Sequence, residues 1–149
     1  MKSNAIVLRG IADEIEQHKC RQFSIHITDR NKHRDMLTPN FQISEFACND
    51  GTIFILIDKR MAELLQELRD VVNCPVLIIS AYRNPEYNRR VNGSPNSQHL
   101  LGKAVDIQVE GYSPEDIAHI GRSVGFTGIG IYTTFTHLDV RDEPAEWRI

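Results

Sequence analysis

The run Ser97-Gln98-His99-Leu100-Leu101-Gly102-Lys103-Ala104-Val105-Asp106-Ile107-Gln108-Val109 carries both the fold signal and the chemistry of this chain. From Lys103 to Val109 polar and apolar positions alternate, the period of a strand with one buried face. Ala104, Asp106 and Gln108 share one face, and Val105, Ile107 and Val109 share the other. Gly102 stands just before the strand, where a turn would bring His99 back over it. Downstream, Phe135, His137 and Asp139 fall on one face of a second strand, with Thr136, Leu138 and Val140 on the other. If the strands are neighbours, His99, Asp106 and His137 can supply three ligands to one divalent metal. Two imidazoles and a carboxylate suit Zn²⁺ and leave its fourth position free for water or substrate, as in a catalytic site. No Cys lies in the constellation, which argues against a closed structural site.

Outward from this core, the pattern is that of one α+β domain over residues 1–149, with a mostly antiparallel central sheet flanked by helices. A helix is expected over residues 5–19 and an alternating strand over 23–28. Residues 31–35 read as a charged loop, and Ser44 as the N-cap of a short turn through Cys48. Met61, Leu64, Leu65, Leu68, Val71 and Val72 recur at helical spacing after Asp58, with Pro75 beyond as a stop. Residues 76–80 form a short apolar run, read as a buried strand. Asn84-Pro85-Glu86 and Ser113-Pro114-Glu115-Asp116 each open a helix with a cap and a first-turn proline. Glycines at 125, 128 and 130 lead into strands at 129–132 and 135–140, a late hairpin.

Composition sets limits on function. With 149 residues the chain can bury a core without staples. A net charge of −3 shows no polybasic signature, so nucleic acid is not an expected partner. No apolar run approaches the ~18 residues of a membrane span. The N-terminus lacks the pattern of a secretory signal peptide. Cys20, Cys48 and Cys74 read as reduced thiols, and a monomer is expected. His18, His26, His33 and His119 have no partner at metal spacing. Trp147 reads as packing the C-terminal tail, and Arg89-Arg90 as a solvated helix face.

The motif Ser97-x-His99-x-x-Gly102-x-Ala104-x-Asp106, followed by His137-x-Asp139, resembles the zinc D,D-peptidases of the M15 class. These are D-Ala-D-Ala carboxypeptidases and murein endopeptidases that share a fold with hedgehog signalling domains. Ser80-Ala81-Tyr82-Arg83-Asn84-Pro85-Glu86-Tyr87-Asn88 is similar to that family's Ser-x-Tyr-Arg-x-Pro-x-x-Asn block. The segment from Leu37 to Cys48 resembles another of its motifs. The likeness thus covers a core at 37–141 and leaves 1–36 as an N-terminal extension.

The resemblance implies one Zn²⁺ per chain and a peptidoglycan stem-peptide substrate. It implies Arg83 as a clamp, since a guanidinium matches a carboxylate with two parallel hydrogen bonds. Tyr82, Asn88, Ser97 and Gln98 would flank the site; Ser97 can equally serve to stabilise the loop carrying His99. Related enzymes place a His or carboxylate base two or three residues before the last zinc His, but here Phe135 and Thr134 stand there. Asp139 is the nearest replacement. Two roles stay open for it: general base, or acceptor for the other ring N–H of a ligand His. Glu45, Asp142 and Glu143 are reserve bases.

Two functional classes follow. One is a peptidoglycan peptidase, made in the cytoplasm and reaching the wall after release, as phage or prophage lysis enzymes do. The other is a zinc-containing cell-wall-binding module of the same fold without catalysis. The bond cut, and carboxypeptidase against endopeptidase, depend on loop shape.

Overall fold

The computed structural model describes residues 24–149. The helix expected at 5–19, the first residue of the strand expected at 23–28, His18 and Cys20 lie outside them. In chain order the strands are β1 (Ser24–Ile27), β2 (Met36–Thr38), β3 (Phe41–Gln42), β4 (Ile55–Asp58), β5 (Val76–Ser80), β6 (Ala104–Val109), β7 (Gly128–Ile131), β8 (Thr136–Asp139) and β9 (Ala145–Arg148). The helices are α1 (Lys59–Val72), α2 (Pro85–Arg90) and α3 (Pro114–Val124).

The main sheet has the order β5-β6-β8-β7-β9. Its pairs are antiparallel except the last, β7 with β9, which is parallel. Two small antiparallel pairs, β1-β4 and β2-β3, stand beside it. The architecture is α+β, as the sequence pattern implies.

Local chemistry explains the helix ends. Asp58 caps α1 by accepting from Met61 N, and Asn73 closes it in the left-handed conformation. Asn84 and Ser113 cap α2 and α3, each followed by proline. The buried face of α1, with Met61, Leu64, Leu65, Leu68 and Val72, joins Val105, Ile107, Ile117 and Leu138 in one core. Full burial of each such side chain contributes about 1.5–3 kcal/mol. α3 packs on β7, β8 and α1. Strand alternation therefore turns Val105, Ile107 and Leu138 to the helices and puts Asp106, His137 and Asp139 on the opposite face.

Several expectations need correction. β5 is an edge strand rather than a buried one, and Leu77 on it is 58% exposed. Val71 keeps helical spacing but faces solvent. Residues Arg30–Arg34 form a 3₁₀ turn rather than a loop, capped by Asp29. The turn after β3, Ile43–Phe46, is capped at Gln42, not Ser44. β4 and β9 were not expected from the sequence, and β9 carries Trp147 into the main sheet.

Candidate metal centre

One rung across the sheet builds the site. Ser80 of β5 pairs with Asp106 of β6, Asp106 with His137 of β8, His137 with Gly130 of β7, and Gly130 with Trp147 of β9. These positions share one face of the sheet. The next rung holds Ala104, Asp139, Gly128 and Ala145.

His99 arrives from outside the sheet, on the 3₁₀ turn Gln98–Leu101. Ser97 caps this turn, its Oγ accepting from His99 N at 3.3 Å. Gly102 ends the turn at φ 65°, a conformation that favours glycine. Arg83 N donates to His99 O, and Asp58 N donates to Gly102 O, so both ends of the turn are pinned.

His99, Asp106 and His137 are all buried, and each offers a ligand atom within 4.8 Å of the other two. His99 Nε2 lies 3.2 Å from Asp106 Oδ1, and His137 Nδ1 lies 2.8 Å from the same oxygen. The far nitrogens are also engaged. His99 Nδ1 is 2.6 Å from the carbonyl of Ala81, which can only accept, so Nδ1 carries the proton and Nε2 faces Asp106 with its lone pair. His137 Nε2 is 2.8 Å from Asp139 Oδ2. Each imidazole is thus oriented by an acceptor behind it, the arrangement common to metal-ligating histidines. In this donor set, two nitrogens converge on one carboxylate oxygen in a buried pocket, which fits a divalent cation.

The pKa shifts of the three residues differ in direction. Burial pushes the Asp106 carboxyl up, but the His137 and His99 side chains beside it outweigh this and hold it well below the usual carboxylate range. Burial pushes His137 down, but the Asp106 and Asp139 carboxylates reverse this and raise it. For His99 burial prevails over Asp106, and its pKa falls, favouring the neutral form that binds metal.

Arg83 donates from Nε to Ser80 Oγ at 3.0 Å and from Nη2 to Asp106 Oδ2 at 3.1 Å. It therefore clamps the outer oxygen of the Asp106 carboxylate, while Nη1 makes no hydrogen bond among the described residues. Asp139 is fully buried. Burial would raise its carboxyl, but Arg141 and His137 hold it far below the usual range. Arg141 grips it through Nε, at 2.9 Å from Oδ1, and Nη2, at 2.5 Å from Oδ2.

A cavity of about 580 Å³ opens on the site. Arg83, Asn96, Ser97, Gln98, His99, Asp106 and His137 line one part of its wall; Tyr132, Phe135, Arg141 and Trp147 line another. Tyr132 and Phe135 stack with centroids 4.3 Å apart. Asp106 is the one carboxylate on the wall among the described residues. A second hollow of about 550 Å³ lies beyond Phe135, over Pro75, Leu77, Tyr112 and Pro114, and His99, Asp106 and His137 do not line it.

Of the residues singled out from sequence, Arg83, Ser97, Gln98, His99, Asp106 and His137 meet at this cavity. Tyr82 does not: its ring is buried in the core against Phe54 at 5.6 Å. The reserve carboxylates are elsewhere. Glu45 accepts from Gln42 N at 2.6 Å, and Asp142 and Glu143 are exposed off the cavity wall. Trp147 and Arg141 were missed as site residues. Trp147 lies 5.2 Å from the His137 ring, and the Arg141 guanidinium lies over it at 4.9 Å. The signal available in sequence was the alternation of Ala145, Trp147 and Ile149 after a proline, too short to read as a strand by itself.

Glycines make this packing possible. A Cβ at Gly130 would sit 2.6 Å from the Trp147 indole, and one at Gly128 would sit 1.9 Å from Asp139 Oδ1. Gly130→Ala is expected to displace Trp147 and destabilise the fold by about 1–3 kcal/mol. A lowered thermal midpoint with a shifted tryptophan emission checks this, and an unchanged midpoint would show that the ring can yield.

No curated protein matches the chain. The family model for Peptidase M15 matches residues 39–139, a span that includes all three candidate metal-binding residues. As that match covers more than half of the sequence, the chain belongs to the Peptidase M15 family.

Proposed function

We propose that this protein is a zinc peptidase that hydrolyses peptide bonds in peptidoglycan, within stem peptides or their crosslinks, as a D,D-carboxypeptidase or endopeptidase. The observation that carries the reading is the convergence of His99 Nε2, Asp106 Oδ1 and His137 Nδ1 at the wall of an open cavity, in a chain of this family. A zinc ion held by these three residues would supply Lewis acidity and activate water. The protein's own groups do the rest. Arg83 steadies Asp106 and offers Nη1, which has no partner among the described residues, to a substrate carbonyl or carboxylate. Ser97 and Gln98 present polar groups to the peptide. Asp139, buried behind His137, holds that imidazole in one tautomer. The proposed setting is wall lysis, in which an enzyme of phage or prophage origin meets peptidoglycan after release.

A second reading has a specific observation behind it. Among the described residues no carboxylate or histidine other than the candidate metal-binding residues lines the cavity, so none stands ready as a separate proton acceptor. A zinc-containing module that binds the wall without cutting it fits that feature.

Digestion of purified sacculi followed by mass analysis of the products separates the two. The peptidase is expected to release new muropeptide ends, to stop with chelator and to resume with Zn²⁺. Sacculi that sediment with the protein yet keep their muropeptide profile would establish the binding module instead.

A further inference from the structure

Arg141 and Trp147 lie beyond the matched residues, yet both line the cavity. They connect to the metal-facing atoms through an unbroken chain of contacts. The Arg141 guanidinium lies over the Trp147 indole at 4.9 Å. Its Nε and Nη2 donate to both oxygens of Asp139, and its backbone N donates to Oδ1 at 3.0 Å. Asp139 Oδ2 in turn accepts from His137 Nε2 at 2.8 Å, and His137 Nδ1 faces Asp106. The far side of the chain is fixed too, as Trp147 Nε1 donates to Tyr132 Oη at 3.3 Å.

We infer that Arg141, seated on Trp147, is a positioning residue that sets the metal affinity of the His99–Asp106–His137 group by fixing Asp139 behind His137. A buried carboxylate can turn about its last bond. Three donors from Arg141 remove that freedom, so only one oxygen position is left for the His137 proton. The guanidinium is itself kept from swinging into solvent by the indole face. Lysine keeps the charge but has neither the planar fork nor the stacking surface. The inference rests on the zinc reading of the site.

The test uses the full chain and Zn²⁺ alone, with affinity measured by competition against a chromophoric chelator. Trp147 is the sole tryptophan, so its emission gives a second readout beside the site. Arg141→Lys is expected to bind zinc about 10–100-fold more weakly. The visible spectrum of the Co²⁺-loaded variant is expected to change, a signature that general loss of stability would not produce. In an Asp139→Asn background the same substitution is expected to add little, since its route is already cut.

Equal zinc affinity in native protein and Arg141→Lys would overturn the inference while leaving the zinc reading intact. So would an equal loss in both backgrounds, which would mean that Arg141 acts independently of Asp139. A variant that does not fold at 25 °C would assign Arg141 to the fold rather than to the metal centre, and also overturns it. Native protein that binds no zinc would sink the zinc reading itself, and this inference with it.

Discussion

His99→Ala is expected to take the protein from one zinc ion per chain to none measurable, and to abolish hydrolysis at the same time. His99 is the donor that comes from outside the sheet. Its Nε2 reaches the shared oxygen of Asp106 only because Nδ1 is tied to the Ala81 carbonyl and the turn is capped by Ser97. Alanine leaves Asp106 and His137, two ligands where a catalytic zinc site has three. It also strands the Ala81 carbonyl, a cost of about 1–3 kcal/mol if no water replaces the imidazole. Circular dichroism and a thermal melt must therefore accompany the elemental analysis. His119→Ala is the control, because His119 is exposed on α3 and is expected to keep full zinc. Full zinc occupancy in a folded His99→Ala protein would refute His99 as a ligand.

How much of this site could be read before the structure depends on which contacts were local. The alternation at 103–109 and 135–140 identified two strands, and their antiparallel pairing places Asp106 directly opposite His137. The cap and proline signals at Asn84 and Ser113 started α2 and α3 where they were expected. Such signals lie within a few residues of the feature they specify. What escaped the sequence was set by partners far along the chain. β5 reads as buried because it is apolar, yet among the described residues it has a neighbour on one side only, and Leu77 is exposed. β9 forms because β7 offers it a free edge for parallel pairing, and nothing within Ala145–Arg148 announces that edge.

The chemistry divides in the same way. Residue types and spacing singled out His99, Asp106 and His137, because ligand identity is a property of the side chain. Orientation is not. Tyr82 adjoins Arg83 in sequence but turns inward to Phe54, whereas Arg83 turns to Asp106. Glu45 was a reserve base by type alone, and its carboxylate is occupied at the turn cap. Trp147 was read as packing the tail. It does join β9 to the sheet, but the absence of a side chain at Gly130 also lets it lie beside His137.

Asp139→Asn is expected to weaken zinc binding by about 10–100-fold while a zinc-saturated sample keeps turnover within roughly tenfold of native. The sequence left Asp139 two roles, and they predict different losses. A general base touches the reacting water, and its removal typically lowers the rate about 10²–10⁴-fold with the metal retained. An orienting acceptor touches only the ligand, and its loss is felt first in metal affinity. Asp139 is fully buried, absent from the cavity wall, and held by Arg141 on both oxygens. For it to take a proton from a water, Arg141 would have to release it and His137 would have to move aside. Asparagine preserves the shape and one acceptor oxygen, so His137 keeps a partner, though a neutral and weaker one. Arg141 loses its counter-charge but remains partly in contact with solvent, which limits the penalty of leaving it unpaired. Measuring zinc affinity and saturated turnover on the same preparation decides between the roles. A variant with native affinity and a rate down by more than a hundredfold would make Asp139 the base after all, and would require the cavity to open toward it during the reaction.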